Sequence, residues 1–560
     1  MGQQNRQAQA SLSSSPTSHT PRFYHLGKLH LWHSPTTVLI IGLHLLVVGF
    51  LAIKLNIWYD EAYSLNTASG PPLLAIWRAI YFELQPPFYF LVLSLWRLIN
   101  GSIWFARLFS IGCIVLSFWF LAKLSKQLAP EIHHNWILLF LAFNPFMIWA
   151  AVEIRLYALT ILQASLLLYL FILIYPLAPP SEQSQREWSR RTVLLRIAYI
   201  LVATSALYTQ YYLGVLLLSN LVTLMLRKRW ASVKQYSLVL ILIGIFFVPM
   251  LFFVWQQVHY HSGTIDSHPS LLGAFKQTLS LIKQFIIRSN ESSSIAASPL
   301  IQGFLLIIIA SFAGLLLWQW VRKKPARWFN LIQLQEGNQT LRLASLGLIS
   351  AAVICCTLFF TGVSQKVGLL GLRHMSSIFV PIVLLPFIGA TFLDKSIRKF
   401  LLMMMFTLYL GLNGNYLLTE YQPLVKSFPD WQQVANYLMQ SEAPNQDIVL
   451  YRPPAKLMLS FTYQGQNRMV AIPVEEDYQQ YLDVRRYVIQ NEAQLDQLLL
   501  PYRQSAQPFW LLNETYCTYL DLDFNCDLIN RYVRQHFTVQ KLKQFEGIDI
   551  FQLKATAKPS

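Results

Sequence analysis

Apolar runs of about twenty residues recur from Thr36 to Leu418, separated by short stretches rich in charge, proline and aromatic side chains. Each run is long enough to cross roughly 30 Å of hydrocarbon at a rise of about 1.5 Å per residue. The pattern predicts spans at 36–56, 103–123, 134–150, 158–175, 193–208, 211–226, 235–256, 299–320, 341–361, 375–393 and 400–418, eleven in all. The stretch 193–226 is too long for one untilted helix, and its polar cluster YTQYY (208–212) is the natural break. One segment resists the count. PPFYFLVLSLWRLIN, 86–100, is apolar but short and carries Arg97, and counting it as a span would reverse the side of every later loop. It reads instead as a helix lying along the outer membrane surface, with Trp96 and Arg97 at headgroup level and Pro86-Pro87 at its start.

Sidedness follows from the basic residues. With the polar N-terminal segment, 1–35, in the cytoplasm, alternate loops hold Lys123 and Lys126; Arg186, Arg190 and Arg191; Arg227, Lys228 and Arg229; Arg322, Lys323, Lys324 and Arg327; and Lys395, Arg398 and Lys399. All fall on one side, as the positive-inside rule requires. The same placement explains the net charge of +17 without a nucleic-acid partner. The first 35 residues are polar and no small-residue cleavage site follows the first run, so a signal peptide is not expected. Hydrophobic residues make up 54% of the chain and charged ones 13%, too apolar a balance for one soluble core. From about 420 the character changes. FPDWQQVANYL (428–438) has helical spacing and DIVLY (447–451) reads as a strand, which predicts a small α/β domain over 420–560, outside the cytoplasm. Cys113, Cys355 and Cys356 lie in apolar runs and read as packing residues. Cys517 and Cys526 lie in the external domain, where a disulfide is left open. Asn513-Glu514-Thr515 and Asn290-Glu291-Ser292 match the glycosylation pattern, a match that also arises by chance.

With this orientation the unusual polar residues gather at the outer face: Asp60 and Glu61 after the first span, Glu83 and Gln85 before the surface helix, Arg107 at the start of the second span, Glu153, Arg155 and Tyr157, Gln210, and Arg373-His374. Charges near hydrocarbon are costly unless paired, hydrated or used, and a shared aqueous chamber accounts for them together. Plainer readings stand beside this one. Arg107 could pair with Glu153 to lock helices, Asp60-Glu61 could be a solvated helix end, and His374 and Gln210 could make structural hydrogen bonds. Glu153 and Arg155 are two apart and do not face each other on a helix, so each needs a partner elsewhere.

The ordered set WYDEAYS, FELQPPFYFLVLSLW, ARLFSIGCIVLSFWFLAKL, the segment around NPFMIWA and VEIRLYAL, LYTQYYLGVLLLSN and LRHMSSIFVPIVLL resembles the bacterial polytopic GT-C glycosyltransferases of the protein O-mannosyltransferase and aminoarabinose-transferase class. More narrowly it is similar to the rhizobial lipopolysaccharide core glycosyltransferase branch. The resemblance covers about 36–420 and rests on the order of the motifs. It implies a GT-C fold of about 11 transmembrane helices in a catalytic domain over 36–419, with external juxtamembrane helices in the loop 57–102. It implies a catalytic carboxylate at Asp60 with Glu61 beside it, the acidic residue of the third motif at Glu153 with Arg155 and Tyr157 nearby, and a donor-phosphate grip at Arg373. Arg155, Arg107, Tyr157 and His374 join Arg373 in the expected lipid-sugar site, with Glu83, Gln85 and Gln210 as auxiliary residues. Members often carry histidine where this chain has Gln85 and Gln210, which weakens the case for a bound metal. A divalent cation on Asp60, Glu83 or Glu153 is left open.

The resemblance further implies inverting transfer of a sugar from a polyprenyl-phosphate donor to a hydroxyl of a lipid, glycan or protein, at the outer face of the cell inner (plasma) membrane. A carboxylate cluster opening away from the cytoplasm fits a lipid-carried donor better than a nucleotide sugar, and the chain has no P-loop or dinucleotide fingerprint. The competing class is a lipid or polysaccharide transporter or flippase, for which ionisable residues near midspan and an internal repeat are expected. The loop HYHSGTIDSH, with His259, His261, Asp266 and His268, lacks the spacing of a closed zinc site and reads as an acceptor-side segment or lid.

Overall fold

The computed structural model describes residues 34–177, 190–261, 269–286, 336–367, 371–421, 425–480, 483–505, 507–519 and 522–556. The expected span 299–320, the clusters at 186 and 322–327, the match at 290–292, Asp266 and His268 lie outside them, and of His259 and His261 only the helical backbone is described.

The chain enters through α1 (Pro35–Lys54), then forms three short helices, α2 (Tyr59–Thr67), α3 (Pro72–Tyr81) and α4 (Phe88–Arg97), before α5 (Ile103–Leu128). At ten residues α4 reaches roughly 15 Å and cannot cross the hydrocarbon, which is why 86–100 does not count as a span. Next come α6 (His134–Ala142), α7 (Pro145–Val152), α8 (Tyr157–Ile174), α9 (Arg190–Leu207), α10 (Gly214–Leu226), α11 (Trp230–His261) and α12 (Leu271–Ile286). After α13 (Glu336–Val367), a 3-10 stretch Leu372–Ile378 leads into α14 (Phe379–Ala390), and α15 (Lys395–Glu420) ends the membrane part.

Seven of the described helices are long and apolar enough to cross a membrane, or eight if α6 and α7 form one broken span. The single helix expected over 134–150 is bent by 62°. Its cause is local: Asn144 caps a new helix by accepting from the backbone N–H groups of Phe146 and Met147, and Pro145 cannot continue the old one. Of the remaining expected crossings, α9 starts on Arg190 and Arg191 and carries Arg196, and α10 has 13 residues, so neither qualifies by length and composition alone. The guanidinium groups of Arg227 and Arg229 reach the carbonyls of Leu177 and Pro176, which places that basic cluster against the end of α8. Arg342 pairs with Glu131 at 2.7 Å, tying the start of α13 to the loop between α5 and α6.

The C-terminal part begins with α16 (Trp431–Ser441), where Asp430 caps the helix, followed by β1 (Ile448–Tyr451) and α17 (Pro453–Ser460). It continues with β2 (Met469–Ile472), α18 (Glu492–Gln504), β3 (Phe509–Glu514), the small hairpin β4 (Thr518–Tyr519) and β5 (Leu522–Asp523), α19 (Cys526–His536), β6 (Phe537–Phe545) and β7 (Ile548–Ala555). The five-stranded sheet runs β2-β1-β3-β7-β6, with β1 parallel to β2 and β3, and β7 antiparallel to β3 and β6. Alternate residues serve two cores, as strand geometry dictates. Ile448, Leu450, Trp510 and Leu512 face α16 and α17, while Val449, Tyr451, Phe509 and Leu511 face α18 and α19. The first core also takes in Ile57, Ala62 and Phe82, so the domain sits on the loop that carries α2. Cys517 and Cys526 are joined by a disulfide. Asn513 and Glu514 are buried in β3, so the glycosylation match at 513–515 is not a surface loop.

Candidate active site

The acidic doublet stands in the first turn of α2, where the unpaired N–H groups of a helix start favour negative charge. Adjacent helical residues diverge by about 100°, so the two carboxylates part company. Glu61 turns inward and its side chain is fully buried, while Asp60 stays 21% exposed.

Glu61 meets two cations, Arg107 at 3.0 Å and Lys426 at 2.9 Å, and accepts the backbone N–H of Ile154 at 3.0 Å. Arg107 is itself buried on α5 and closes the end of α1 by donating to the carbonyls of Ala52, Leu55 and Asn56 at 2.9, 2.7 and 2.9 Å. The helix lock considered from the sequence therefore joins Arg107 to Glu61 rather than to Glu153. Glu153, at the end of α7, pairs with Lys426 at 2.8 Å and accepts the indole N–H of Trp58 at 2.8 Å. Lys426 thus lies between two buried carboxylates.

Asp60 is held from both sides, by Arg373 at 2.6 Å and by Arg155 at 3.3 Å. Arg155 also pairs with Glu83 at 2.9 Å and donates to the Ser64 hydroxyl at 3.1 Å. Arg373 is the most open member, 39% exposed, with its guanidinium 5.7 Å from the centre of the Trp58 ring. Gln210 and His374 support the turn that carries Arg373. The Gln210 amide donates to the His374 carbonyl at 3.1 Å and accepts from the Ser376 hydroxyl at 3.1 Å, while His374 Nδ1 accepts the Gly371 N–H at 3.0 Å. Tyr157 is buried and stacks on Trp149 with centroids 5.0 Å apart. The buried Gln85 carbonyl oxygen has no hydrogen-bond partner among the described residues.

Burial pushes the carboxyl of Glu61 up, but Arg107 and Lys426 outweigh it and leave it below the ordinary carboxylate range. For Glu83 burial wins over Arg155, and for Glu153 burial, reinforced by Glu61, wins over Lys426, so both lie above that range. A divalent cation does not fit this arrangement as it stands. Asp60, Glu83 and Glu153 already face arginine or lysine, and among the described residues no group of three or more His, Cys, Asp or Glu side chains could hold a metal.

The structure brings these residues into two neighbouring ion-pair clusters, Asp60 and Glu83 with Arg155 and Arg373, and Glu61 and Glu153 with Arg107 and Lys426, with Trp58 between them. Sequence reasoning missed Lys426, Trp58 and Asn56. No periodicity or motif marks Lys426, a single basic residue in the connection after the last apolar run. From the C-terminal domain, Glu514 accepts from the hydroxyl of Tyr59, the neighbour of Asp60, and pairs with Arg452.

No protein-family model and no curated protein matches the chain. Among solved structures, ArnT from Cupriavidus metallidurans bound to undecaprenyl phosphate aligns at 12% identity over 94% of this chain and 98% of that one, with a TM-score of 0.42. Its apo form gives 13%, 92%, 97% and 0.41. The oligosaccharyltransferase of Archaeoglobus fulgidus tethered to an acceptor peptide gives 10% identity over 94% of this chain and 75% of that one, with a TM-score of 0.46. Likenesses at these identities and scores assign neither a family nor a residue role to this chain.

Proposed function

We propose that the protein is an inverting glycosyltransferase that moves a sugar from a polyprenyl-phosphate donor to an acceptor hydroxyl at the outer membrane face. One observation carries the reading: of the four clustered carboxylates, Asp60 is the most exposed, and it stands beside the half-exposed Arg373. A reacting hydroxyl and a phosphate can meet there, the first at the carboxylate and the second at the guanidinium fork. Arg373 leaves Asp60 Oδ2 for the donor phosphate, and Asp60 then turns that oxygen to the acceptor hydroxyl. The acceptor oxygen bonds to the anomeric carbon as the bond from that carbon to the phosphate oxygen breaks. The proton passes to Asp60 late in the step, and the phosphate departs on its polyprenyl chain with its added negative charge held by Arg373.

In this reading Glu61 and Glu153, both expected as catalytic residues, act from beneath, because their carboxylates are sealed against Arg107 and Lys426. Glu83 is a buried partner of Arg155. The disulfide between Cys517 and Cys526 supports an oxidising, extracytoplasmic side for the C-terminal domain. The plasma membrane as location and the narrower transferase branch rest on the sequence resemblance. The test is release of free polyprenyl phosphate when purified protein is mixed with lipid-linked sugars and acceptors. Asp60→Asn should fold normally and lose transfer by about 100-fold or more, in the range expected for removing a general base. Turnover of Asp60→Asn within threefold of the parent would refute the assignment.

A further inference from the structure

From the contacts around Lys426 we infer that this residue is a positioning residue for the transfer step, coupling the seat of the C-terminal domain to the geometry at Asp60. The inference rests on the glycosyltransferase reading above. Lys426 lies on the connection between α15 and α16, outside the membrane helices, yet its side chain is only 8% exposed. Its ammonium has three donors, and three acceptors surround it: Glu61 at 2.9 Å, Glu153 at 2.8 Å and the Val152 carbonyl at 3.3 Å. Its backbone N–H is held by Asn56 Oδ1 at 2.7 Å, and the Asn56 amide donates in turn to the Ser427 carbonyl at 2.7 Å.

Each contact leads to a different limb of the site. Glu61 precedes none of the reacting groups, but it fixes the first turn of α2 that aims Asp60. Glu153 holds the Trp58 indole, whose ring lies beside Arg373, and belongs to the same turn as Arg155. Asn56 belongs to the end of α1 that Arg107 closes. The ammonium therefore joins the start of α2 to the end of α7 and the turn after it, the Lys426 backbone ties in the end of α1 through Asn56, and the segment leads directly into the domain packed on Ile57, Ala62 and Phe82. The charges also close around it. Glu61 and Glu153 are buried anions, and Arg107 and Lys426 are the buried cations that neutralise them. Without Lys426 one negative charge is left over in a sealed space, and the strain falls on α2 and the turn, the two pieces that orient Asp60 and Arg155.

Two measurements test this. The first needs no activity: amine acylation of the intact protein, read by mass spectrometry, should leave Lys426 protected while the exposed Lys543 reacts. Equal labelling of the two would overturn the burial on which the inference stands. The second is transfer kinetics. Lys426→Met should lower kcat at least 30-fold while KM for the lipid donor changes less than threefold, because Arg373 is not among its contacts. Lys426→Met combined with Glu153→Gln should recover at least tenfold of that loss, since the buried charge is balanced again and glutamine still accepts from Trp58. A plain structural brace gives the opposite result, with yield and melting temperature falling together and the second substitution adding damage. Normal kcat in Lys426→Met, or no recovery in the double variant, would overturn the positioning role. Failure of the parent protein to release polyprenyl phosphate from any lipid-linked sugar would instead bring down the transferase reading and this role with it, leaving the labelling result to decide only the burial.

Discussion

Arg107 offers the sharpest measurement of how the site is held, because its four partners make two separable demands. Replacing it with methionine keeps much of the volume but removes every donor. Glu61 then keeps Lys426 and the Ile154 N–H but one cation fewer, and the carbonyls of Ala52, Leu55 and Asn56 at the end of α1 lose their shared cation. Breaking a buried ion pair by removing one partner costs about 3–5 kcal/mol. Against a typical total of about 5–15 kcal/mol, that is a loss that reversible unfolding in mixed micelles will resolve. A double-mutant cycle assigns it. Arg107→Met with Glu61→Gln should show a coupling of about 1–3 kcal/mol, as expected for groups in contact. With Glu153→Gln the coupling should fall to about 0.5 kcal/mol or less, the residue transmitted through Lys426. A cost below about 1 kcal/mol for Arg107→Met, or a larger coupling to Glu153 than to Glu61, would refute the pairing described here.

Arg373→Ala should raise KM for the lipid donor about 10–100-fold, the equivalent of losing a charge-assisted hydrogen bond of about 1.5–3 kcal/mol, with a smaller effect on kcat; an unchanged KM would remove Arg373 from the phosphate site. Gly547 occupies the two-residue turn between β6 and β7 at φ +86°, and a Cβ there would stand 2.9 Å from the Tyr516 ring and 3.2 Å from the Pro429 nitrogen. Gly547→Ala should therefore destabilise the C-terminal domain by about 1–3 kcal/mol, read as a lower melting temperature, and a variant as stable as the parent would contradict that geometry.

The apolar pattern made seven or eight spans legible because hydrocarbon thickness sets a length that a run of apolar residues either meets or misses. What it missed was backbone detail. Asn144-Pro145 reads as a ripple within an apolar run until the cap and the missing N–H are considered together, and then it demands the bend. The polar residues of the outer face were visible as misplaced charge, but their roles were not, since neighbours in sequence such as Asp60 and Glu61 face different surroundings once α2 forms. Partners more than 300 residues apart, Arg373 with Asp60 and Lys426 with Glu61, leave no periodic trace. Lys426 looked like one more residue of a polar tail, and only a count of the charges paired in the folded structure singles it out.

The same count bears on the contact between Asp60 and Arg373. Four carboxylates, Asp60, Glu61, Glu83 and Glu153, face four cations, Arg107, Arg155, Arg373 and Lys426, so the paired charges balance before any donor arrives. A phosphate adds negative charge, and only a cation able to leave its present partner without becoming buried and unpaired can answer it. Arg373 meets that condition because it is half-exposed, while Arg107 and Lys426 are sealed and Arg155 stays tied to Glu83. If the Asp60–Arg373 pair were only a brace, replacing it by a neutral hydrogen-bonding pair in the double variant Asp60→Asn with Arg373→Gln would preserve both the fold and turnover, with Arg155 still paired to Glu83. The transferase reading requires the replacement to fail, because an amide cannot take the acceptor proton and a neutral side chain leaves the phosphate charge unanswered. The expected result is a double variant with parental yield and no more transfer than either single one, and turnover at the parental level would show that the pair holds the structure without doing the chemistry.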